Sequence, residues 1–350
     1  MDINRELLLA KLKTVKPALQ TGDGQLLTNF LFSGTHLVAH NSRIGISTKL
    51  TTDFKGTVPA ALLDVVATVN KETVKLEHLG HLSVRFSAGR TQIEFPSIEA
   101  RDYEAVFTMP ALPRSGITTD ADFHEAIEAC LQSVPTGDIE SPEEQGITFI
   151  PNGRSLDLYA TDRKTITRSK LPAMAGLTRR VVLSGEFCEA MQALDLPEGT
   201  DSKFYLMDNA AMYTAGDTVL HGLLVIPEQP LDFNDAVRRH LPRGFPNGMV
   251  DITEQLKIAT TLAADIAETG GEDVASTIQC TNGFAKFTVS SNTSNVNDKV
   301  KLRGHPDVEV TLRATLVKRG LGRYDKILFT NNSAVLARGD SIYVVASRAS

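Results

Sequence analysis

One amphipathic helical segment recurs six times along the chain, beginning near Asn4, Pro59, Asp120, Gly185, Thr253 and Thr311, at intervals of 55 to 68 residues. In the first, Leu8, Leu12, Val15 and Leu19 fall at i, i+4, i+7 and i+11 and share one helix face. Phe123, Ile127, Leu131 and Val134 repeat that spacing, and Ile252, Leu256, Ala259, Ala263 and Ile266 extend it. Leu62, Val66 and Val69 mark the second segment, Phe187, Met191 and Leu194 the fourth, and Leu312 and Leu316 the sixth. Each helix is apolar on one side only, so each needs a sheet or a neighbouring helix to cover it. After every helix come three short strand-like runs. Asn152-Gly153, Asp208-Asn209, Gly216-Asp217, Asn282-Gly283, Asn331-Asn332 and Gly339-Asp340 separate them, residue types that accept the positive φ of a tight hairpin. The plan is α+β. Proline-bearing connections around Pro110 and Pro113, and around Pro227 and Pro230, divide six units into three pairs, predicting domains at 1–112, 113–232 and 233–350.

The rest of the composition narrows the function. Hydrophobic residues at 42% and charged residues at 22% are those of an ordinary globular chain. No apolar run reaches 18 residues, and the opening MDINRELLLAKLKTVK lacks the apolar block of a secretory signal, so no membrane partner and a cytoplasmic setting are expected. Cys130, Cys188 and Cys280 are scattered and odd in number, which predicts reduced thiols and no cysteine metal site. His78 and His81 flank a hairpin turn without a third ligand, so no metal is expected. RGLGR, Arg319 to Arg323, follows a helix instead of opening one and lacks the full glycine fingerprint of a dinucleotide loop. Glu143 with Glu144, and Glu125 with Glu128, read as solvated faces. With no phosphate loop, nucleophile elbow or paired metal motif, the expectation is a binding or architectural protein, without cofactor and not an enzyme. The formal charge of −6 argues against simple coating of nucleic acid but leaves room for a local basic surface.

The stretch LDLYATDRKTITRSKL, Leu156 to Leu171, poses the sharpest question. Its strand alternation is broken by Asp162, Arg163 and Lys164, a corner that either turns the chain in solvent or forms the rim of a site. With the order of the six units, it resembles the second-domain strand pair of the bacterial sliding clamp, the beta subunit of the replicative DNA polymerase, where Ala-Thr-Asp precedes Gly-His-Arg-Leu. LDFNDAVRRHLP is similar to that family's Phe-Pro-x-Tyr-x-x-Val-Leu-Pro linker, and SIYVVASRAS to its tail. The likeness in length and repeat order covers the whole chain.

That resemblance implies a three-domain DNA clamp: two chains joined head to tail, helices inside and sheets outside, encircling double-stranded DNA without reading its sequence. A separate ATP-driven clamp loader opens it, and it tethers the DNA polymerase. Twelve helices packed about 9 Å apart would leave a hole roughly 25 Å across, wide enough for a duplex, whereas six would leave only about 7 Å. The resemblance carries a partner-peptide pocket over to Thr161, Asp162, Arg163, Lys164 and Ile166, to Arg239 and His240, and to Val344, Val345, Ala346 and Ser347. It implies DNA-facing cations at Arg5, Lys11, Lys13, Lys16, Lys257, Arg313, Lys318 and Arg319, interspersed with Glu125, Glu128, Glu186 and Glu189. For the dimer interface it points to Ile93 and Phe95 on one edge with Ile266 opposite, residues that core burial explains equally well. Arg163, Lys164 and Thr165 replace the family's Gly-His-Arg, and Ala346, Ser347 and Arg348 its Met-Pro-Met, predicting a more polar pocket, as suits a bacteriophage version with its own polymerase. Two rivals remain open: a clamp-like scaffold recruiting transcription or repair proteins, and an enzyme with a site around Asp162, Arg163 and Lys164.

Overall fold

The computed structural model describes residues 2–20, 27–135, 142–174, 176–194, 201–227, 230–269, 275–290 and 295–347. The side chain of Glu143 and all of Arg348 lie outside them. The six recurrences appear in order. The first comprises β1 (Ile3–Asn4), α1 (Arg5–Val15), β2 (Asn29–Ser33), β3 (His36–His40), β4 (Ile44–Lys49) and β5 (Lys55–Pro59). The second is α2 (Leu62–Thr68), β6 (Thr73–His78), β7 (Ser83–Ala88) and β8 (Thr91–Pro96), followed by α3 (Ala100–Val106) and β9 (Ile117–Thr118). The third is α4 (Ala121–Leu131), β10 (Gly146–Asn152), β11 (Ser155–Thr161), β12 (Thr165–Pro172) and β13 (Val181–Ser184). The fourth is α5 (Gly185–Ala193), β14 (Ser202–Leu206), β15 (Ala210–Ala215) and β16 (Thr218–Val225), followed by α6 (Phe233–His240) and β17 (Val250–Asp251). The fifth is α7 (Glu254–Thr269), β18 (Ser276–Thr281), β19 (Phe284–Ser290), β20 (Asn295–Lys301) and β21 (Val308–Leu312). The sixth is α8 (Ala314–Leu321), β22 (Lys326–Thr330), β23 (Ser333–Arg338) and β24 (Ser341–Ala346).

The helices begin where a side chain replaces the missing intrahelical acceptor. Asn4 accepts from Leu7 N at 3.0 Å, Ser184 from Phe187 N at 3.2 Å and Thr253 from Leu256 N at 3.2 Å. Their apolar stripes then point inward: Leu8, Leu12 and Val15 of α1 are fully buried, as are Ile127 of α4 and Leu256 and Ala263 of α7. The hairpins into β8, β16 and β24 are turned by Gly89-Arg90, Gly216-Asp217 and Gly339-Asp340, each glycine at positive φ, where a side chain would be strained.

The chain packs as two compact units. The first comprises residues 1–120 and 183–224. It contains the sheet β1-β6-β7-β8 and the run β5-β2-β3-β4-β16-β15-β14-β9, in which β4 and β16 pair antiparallel, Ile44 opposite Gly222 and Thr48 opposite Thr218. The second unit comprises residues 121–182 and 225–350. It contains β17-β22-β23-β24-β12-β11-β10 and the sheet β20-β19-β18-β21; β12 pairs with β24 antiparallel, Thr165 opposite Val345 and Arg168 opposite Ile342. In both units a strand that ends one hairpin pairs with a strand nearly 180 residues away. No helix among the described residues is long and apolar enough to cross a membrane. The three cysteines are free and buried, and burial pushes the Cys130 and Cys280 thiols up to about 12.

Two elements differ from the sequence reading. The segments before Pro110 and after Pro230, read as plain connections, each carry a helix, α3 and α6. Each buries few side chains, Tyr103 in α3 and Phe233 and Val237 in α6, too little to register as an apolar stripe.

Candidate partner groove and basic surface

In the second unit α6 and the segment after it lie on one face of β11, β12, β24 and β23. Two small apolar clusters meet there. Tyr159, Phe233 and Val237 are buried together with partly exposed Ile150, Ile166, Leu231 and Leu241. Val335, Ile342 and Val344 are buried against Ile166, Leu241 and Phe245. Ile166 and Leu241 belong to both clusters, so the apolar floor is continuous while its rim is only partly covered. Tyr159 stacks on Phe233 at 5.1 Å, a pair worth about 1 kcal/mol beyond its burial, and donates its hydroxyl hydrogen to Asn234 Oδ1 at 2.7 Å. Burial raises the Tyr159 pKa. Arg180 lies over the Phe233 ring at 5.6 Å and donates to Leu231 O at 2.9 Å, fixing the start of α6.

The charged corner at one end is built from its own residues. Asp162 Oδ1 accepts from Lys164 N, Thr165 N and Thr165 Oγ1 at 3.0, 2.6 and 2.8 Å, an Asx turn that closes the hairpin. Arg163 takes φ 66° and donates from Nε to Glu144 Oε1 at 2.7 Å. Thr161 Oγ1 donates to Thr165 O at 2.8 Å, and Thr165 Oγ1 lies 3.0 Å from Ser133 Oγ at the end of α4. Ala346 N donates to Lys164 O at 2.9 Å, tying the tail to the corner. The corner therefore turns the chain, and in turning brings Thr161, Ile166 and Lys164 beside β24.

The other expected pocket residues divide. Arg239 is exposed and ion-paired with Asp235. His240 is half-buried, its pKa lowered chiefly by burial, and its carbonyl accepts from Ser333 Oγ at 3.2 Å. Ala346 and Ser347 are half-exposed, and Ser347 N donates to Asn332 O at 2.7 Å. Val344 and Val345 were expected to line the pocket together, but adjacent strand residues face opposite ways. Val344 joins the groove cluster, whereas Val345 is fully buried in the core beneath, with Tyr343, Leu336 and Ala334. Phe245 and Leu241 complete the groove and were not anticipated; their signal was their position just past an amphipathic helix, near Pro242 and Pro246.

The cations expected to face DNA are unevenly available. Lys11 Nζ donates to Asp217 Oδ2 at 2.6 Å and Thr48 Oγ1 at 3.1 Å, with its side chain only 17% exposed, so it ties α1 to the β15–β16 turn. Burial would raise the Asp217 pKa, but the Lys11 ammonium outweighs it and the pKa is lowered. Lys257 pairs with Glu254 and Lys318 with Asp265, both at 2.7 Å. Arg319 donates to Gln132 O at 3.0 Å and stands 3.9 Å from Asp162. Arg5 donates to Val66 O at 3.4 Å, and Arg313 is half-buried. Lys13 and Lys16 are exposed and make no ion pair among the described residues. Of the acids interspersed with them, Glu128 pairs with Arg323, and Glu186 accepts from Asn41. His78 Nε2 lies 2.7 Å from Lys55 O and its ring stacks on Phe54, so it serves packing.

The edges of the candidate interface are also defined. β8 is the last strand of its sheet, with Phe95 buried and Ile93 half-buried. β20 is an edge of the other unit's sheet. Ile266 packs partly against the core, and Ile258 and Leu262, two turns and one turn earlier on α7, are 57% and 46% exposed.

No family model matches the chain, and no curated protein matches it in sequence. Solved structures do. The chain is similar to the DNA polymerase III subunit beta of Pseudomonas aeruginosa, at 19% identity and TM-score 0.80, with 99% of each chain covered. It is similar to the beta chain of DNA polymerase III from Streptococcus pneumoniae, at 14% identity and TM-score 0.82, covering 100% of this chain and 99% of that one. It is also similar to the Helicobacter pylori beta clamp bound to a DNA ligase peptide, at 13% identity and TM-score 0.77, with the same coverage. From end to end, the chain has the sliding-clamp fold.

Proposed function

We propose that two copies of this chain close head to tail into a ring around duplex DNA, and that the ring is a processivity clamp tethering a DNA polymerase through the groove under α6. An ATP-driven loader opens the ring, and the groove takes short peptides of the polymerase and other partners, as the Helicobacter pylori clamp takes a ligase peptide. The chain itself performs no chemistry in this reading.

One observation carries the ring. The strand that closes the first hairpin pair of a domain pairs with the last strand of the next: β4 with β16, and β12 with β24. By the same rule β20 requires the strand equivalent to β16 and β24, which is β8, and both are left as edges. Edge strands invite pairing, and pairing with a second copy uses both at once. The β11–β12 hairpin runs from Ser155 opposite Pro172 to Thr161 opposite Ile166, and β19–β20 runs the same length, from Phe284 opposite Lys301 to Ser290 opposite Asn295. Transferring the β12–β24 register sets Val296 opposite Ile93 and Asn297 opposite Gln92. Apolar then meets apolar on the inner face, and Ile258, Leu262 and Ile266 of α7 supply further contact area. The sixfold recurrence likewise supports division into three domains near residues 112 and 232, each junction using one such strand pair.

Sedimentation velocity and negative-stain microscopy of the purified chain test the ring. The expected particle has twice the 38.0 kDa chain mass and a central hole of roughly 25 Å. Compact particles without a hole, at every concentration, would contradict the proposal.

The exposed lysines make a further prediction. Lys13→Glu with Lys16→Glu should weaken association with DNA several-fold at about 50 mM salt, with the difference fading as salt rises, because phosphate contacts are paid for by counterion release. Lys11→Glu should act instead on the stability of the first unit, since that ammonium is bonded to Asp217. Filter binding across a salt series and thermal unfolding separate the two effects; a salt-independent loss in the double variant would contradict a role in phosphate contact.

A further inference from the structure

In the first unit, three neighbouring strands align His40, Gly45 and His221 in one row: His40 is paired with Gly45 across β3 and β4, and Gly45 with His221 across β4 and β16. Phe107, the residue that ends α3, lays its ring into that row. Its centroid is 3.9 Å from the His40 ring at an interplanar angle of 12°, and 6.1 Å from the His221 ring at 48°. The middle position has to be glycine, because a Cβ there would stand 2.3 Å from Phe107 Cζ. Tyr103, one turn earlier in α3, is fully buried in the same cluster with Leu31 and Val38. Phe107 is thus a plug between two imidazoles, and it fastens α3 to the sheet.

We infer that this row is an acid-sensitive latch: with both imidazoles neutral, Phe107 holds α3 and the connection after it on the sheet, and protonation releases them. Among the described residues no counterion stands ready for the proton. By strand alternation the same face carries His36 and Val38 on β3, Ser47 and Lys49 on β4, Val219 and Leu223 on β16, and Lys55 and Thr57 on β5. From α3 only Tyr103 is buried; Arg101, Asp102 and Glu104 are exposed. The groups sharing the face with the two histidines are therefore neutral or cationic. His40 Nδ1 is buried without a hydrogen-bond partner, so a proton there has no acceptor. Stacking of an imidazolium on the Phe107 ring offsets part of that penalty. Burial, with His221 adding to it, holds the His40 pKa down at about 4, and burial lowers that of His221.

The sign follows. A histidine whose pKa is lowered in the closed state binds fewer protons there than in the open state, so closure is fully favoured above the ordinary value of about 6.5 and is lost as pH falls from there toward 4. The corresponding row in the second unit reads Thr161, Ile166 and Val344, beside Leu241, and none of these titrates in this range. That row supplies the control substitutions.

The test is amide hydrogen exchange of the full chain, corrected for intrinsic rates, at pH 7 and pH 5. Protection of the Tyr103 and Phe107 amides, which donate to Glu99 O and Tyr103 O, should fall roughly tenfold at pH 5 while β22 to β24 keep theirs. The His40→Thr, His221→Val double variant should keep its pH 7 protection at pH 5. Equal protection of the native chain at both pH values would overturn the latch, as would the same fall in the double variant or a parallel fall in β22 to β24. If the double variant does not fold, NMR titration of the histidine rings in the native chain decides: the latch requires His40 to titrate far below 6, and an ordinary midpoint near 6.5 overturns it.

Discussion

Val345→Asp should unfold most of the second unit, whereas its neighbour Val344→Asp should leave that unit folded and abolish partner binding. Val345 is fully buried between sheet and helices, in the core built from Leu256, Phe287, Leu316, Leu336 and Tyr343. An ionised carboxylate there has neither water nor a partner, a change expected to cost at least 4 kcal/mol, comparable to the whole stability margin of many domains. Val344 is buried on the opposite face, but its neighbours Ile166, Leu241 and Phe245 are only partly buried, so the groove can open around a carboxylate at a smaller cost, about 2 to 3 kcal/mol. Its effect should instead fall on the groove, which would then present a charge to an apolar peptide anchor. Thermal unfolding of both variants, with pull-down of the cognate polymerase, checks the pair. Equal destabilisation by both would mean that the groove cluster is simply core, and intact polymerase binding by Val344→Asp would remove the groove from the account.

The second large effect is expected at the sheet edges. Val296→Glu should convert a two-chain ring into single chains while leaving the circular dichroism spectrum unchanged. In the proposed register its carboxylate would face Ile93 across the new strand pair, beside Phe95, and the same clash would occur at both joints of the ring. A loss of about 3 kcal/mol per joint is a hundredfold weakening of each. Sedimentation velocity at micromolar concentration should show the shift to half mass. Conversely, Gln92→Cys with Asn297→Cys should cross-link two chains under mild oxidation, since the three natural cysteines are buried. An unchanged dimer in Val296→Glu would mean that the chains associate through another surface.

How much of this was legible in the sequence depends on how local the signal is. The six recurring helices could be read because spacing such as that of Leu8, Leu12 and Val15 reports directly on which face is covered. α6 carries a weaker signal: Asp232 caps it, accepting from Asp235 N at 2.9 Å, and Arg238, Arg239 and His240 sit in its last turn, where the helix dipole favours cations. α3 has no side-chain cap and buries only Tyr103, so nothing local marks it. The pairings of β4 with β16 and β12 with β24 join strands far apart in the chain, and a single sequence holds no pattern that specifies them. The charged corner at Asp162 to Lys164 reads as a site in the sequence because three ionisable residues interrupt a strand. In the structure Asp162 spends its Oδ1 on the turn and Arg163 reaches Glu144, so the proposed binding surface is the apolar floor beside the corner, with Ile166 and Val344.

The measurement that bears most directly on the proposed function is retention on closed DNA. The Gln92→Cys, Asn297→Cys chain would be mixed with a circular plasmid, sealed by oxidation and washed in about 1 M salt, where phosphate contacts are screened. A ring that encircles the duplex should stay on the intact circle and leave when a single restriction cut opens it or when the disulfide is reduced. Release from the intact circle at high salt, or retention on the linear form, would contradict encirclement and with it the processivity clamp.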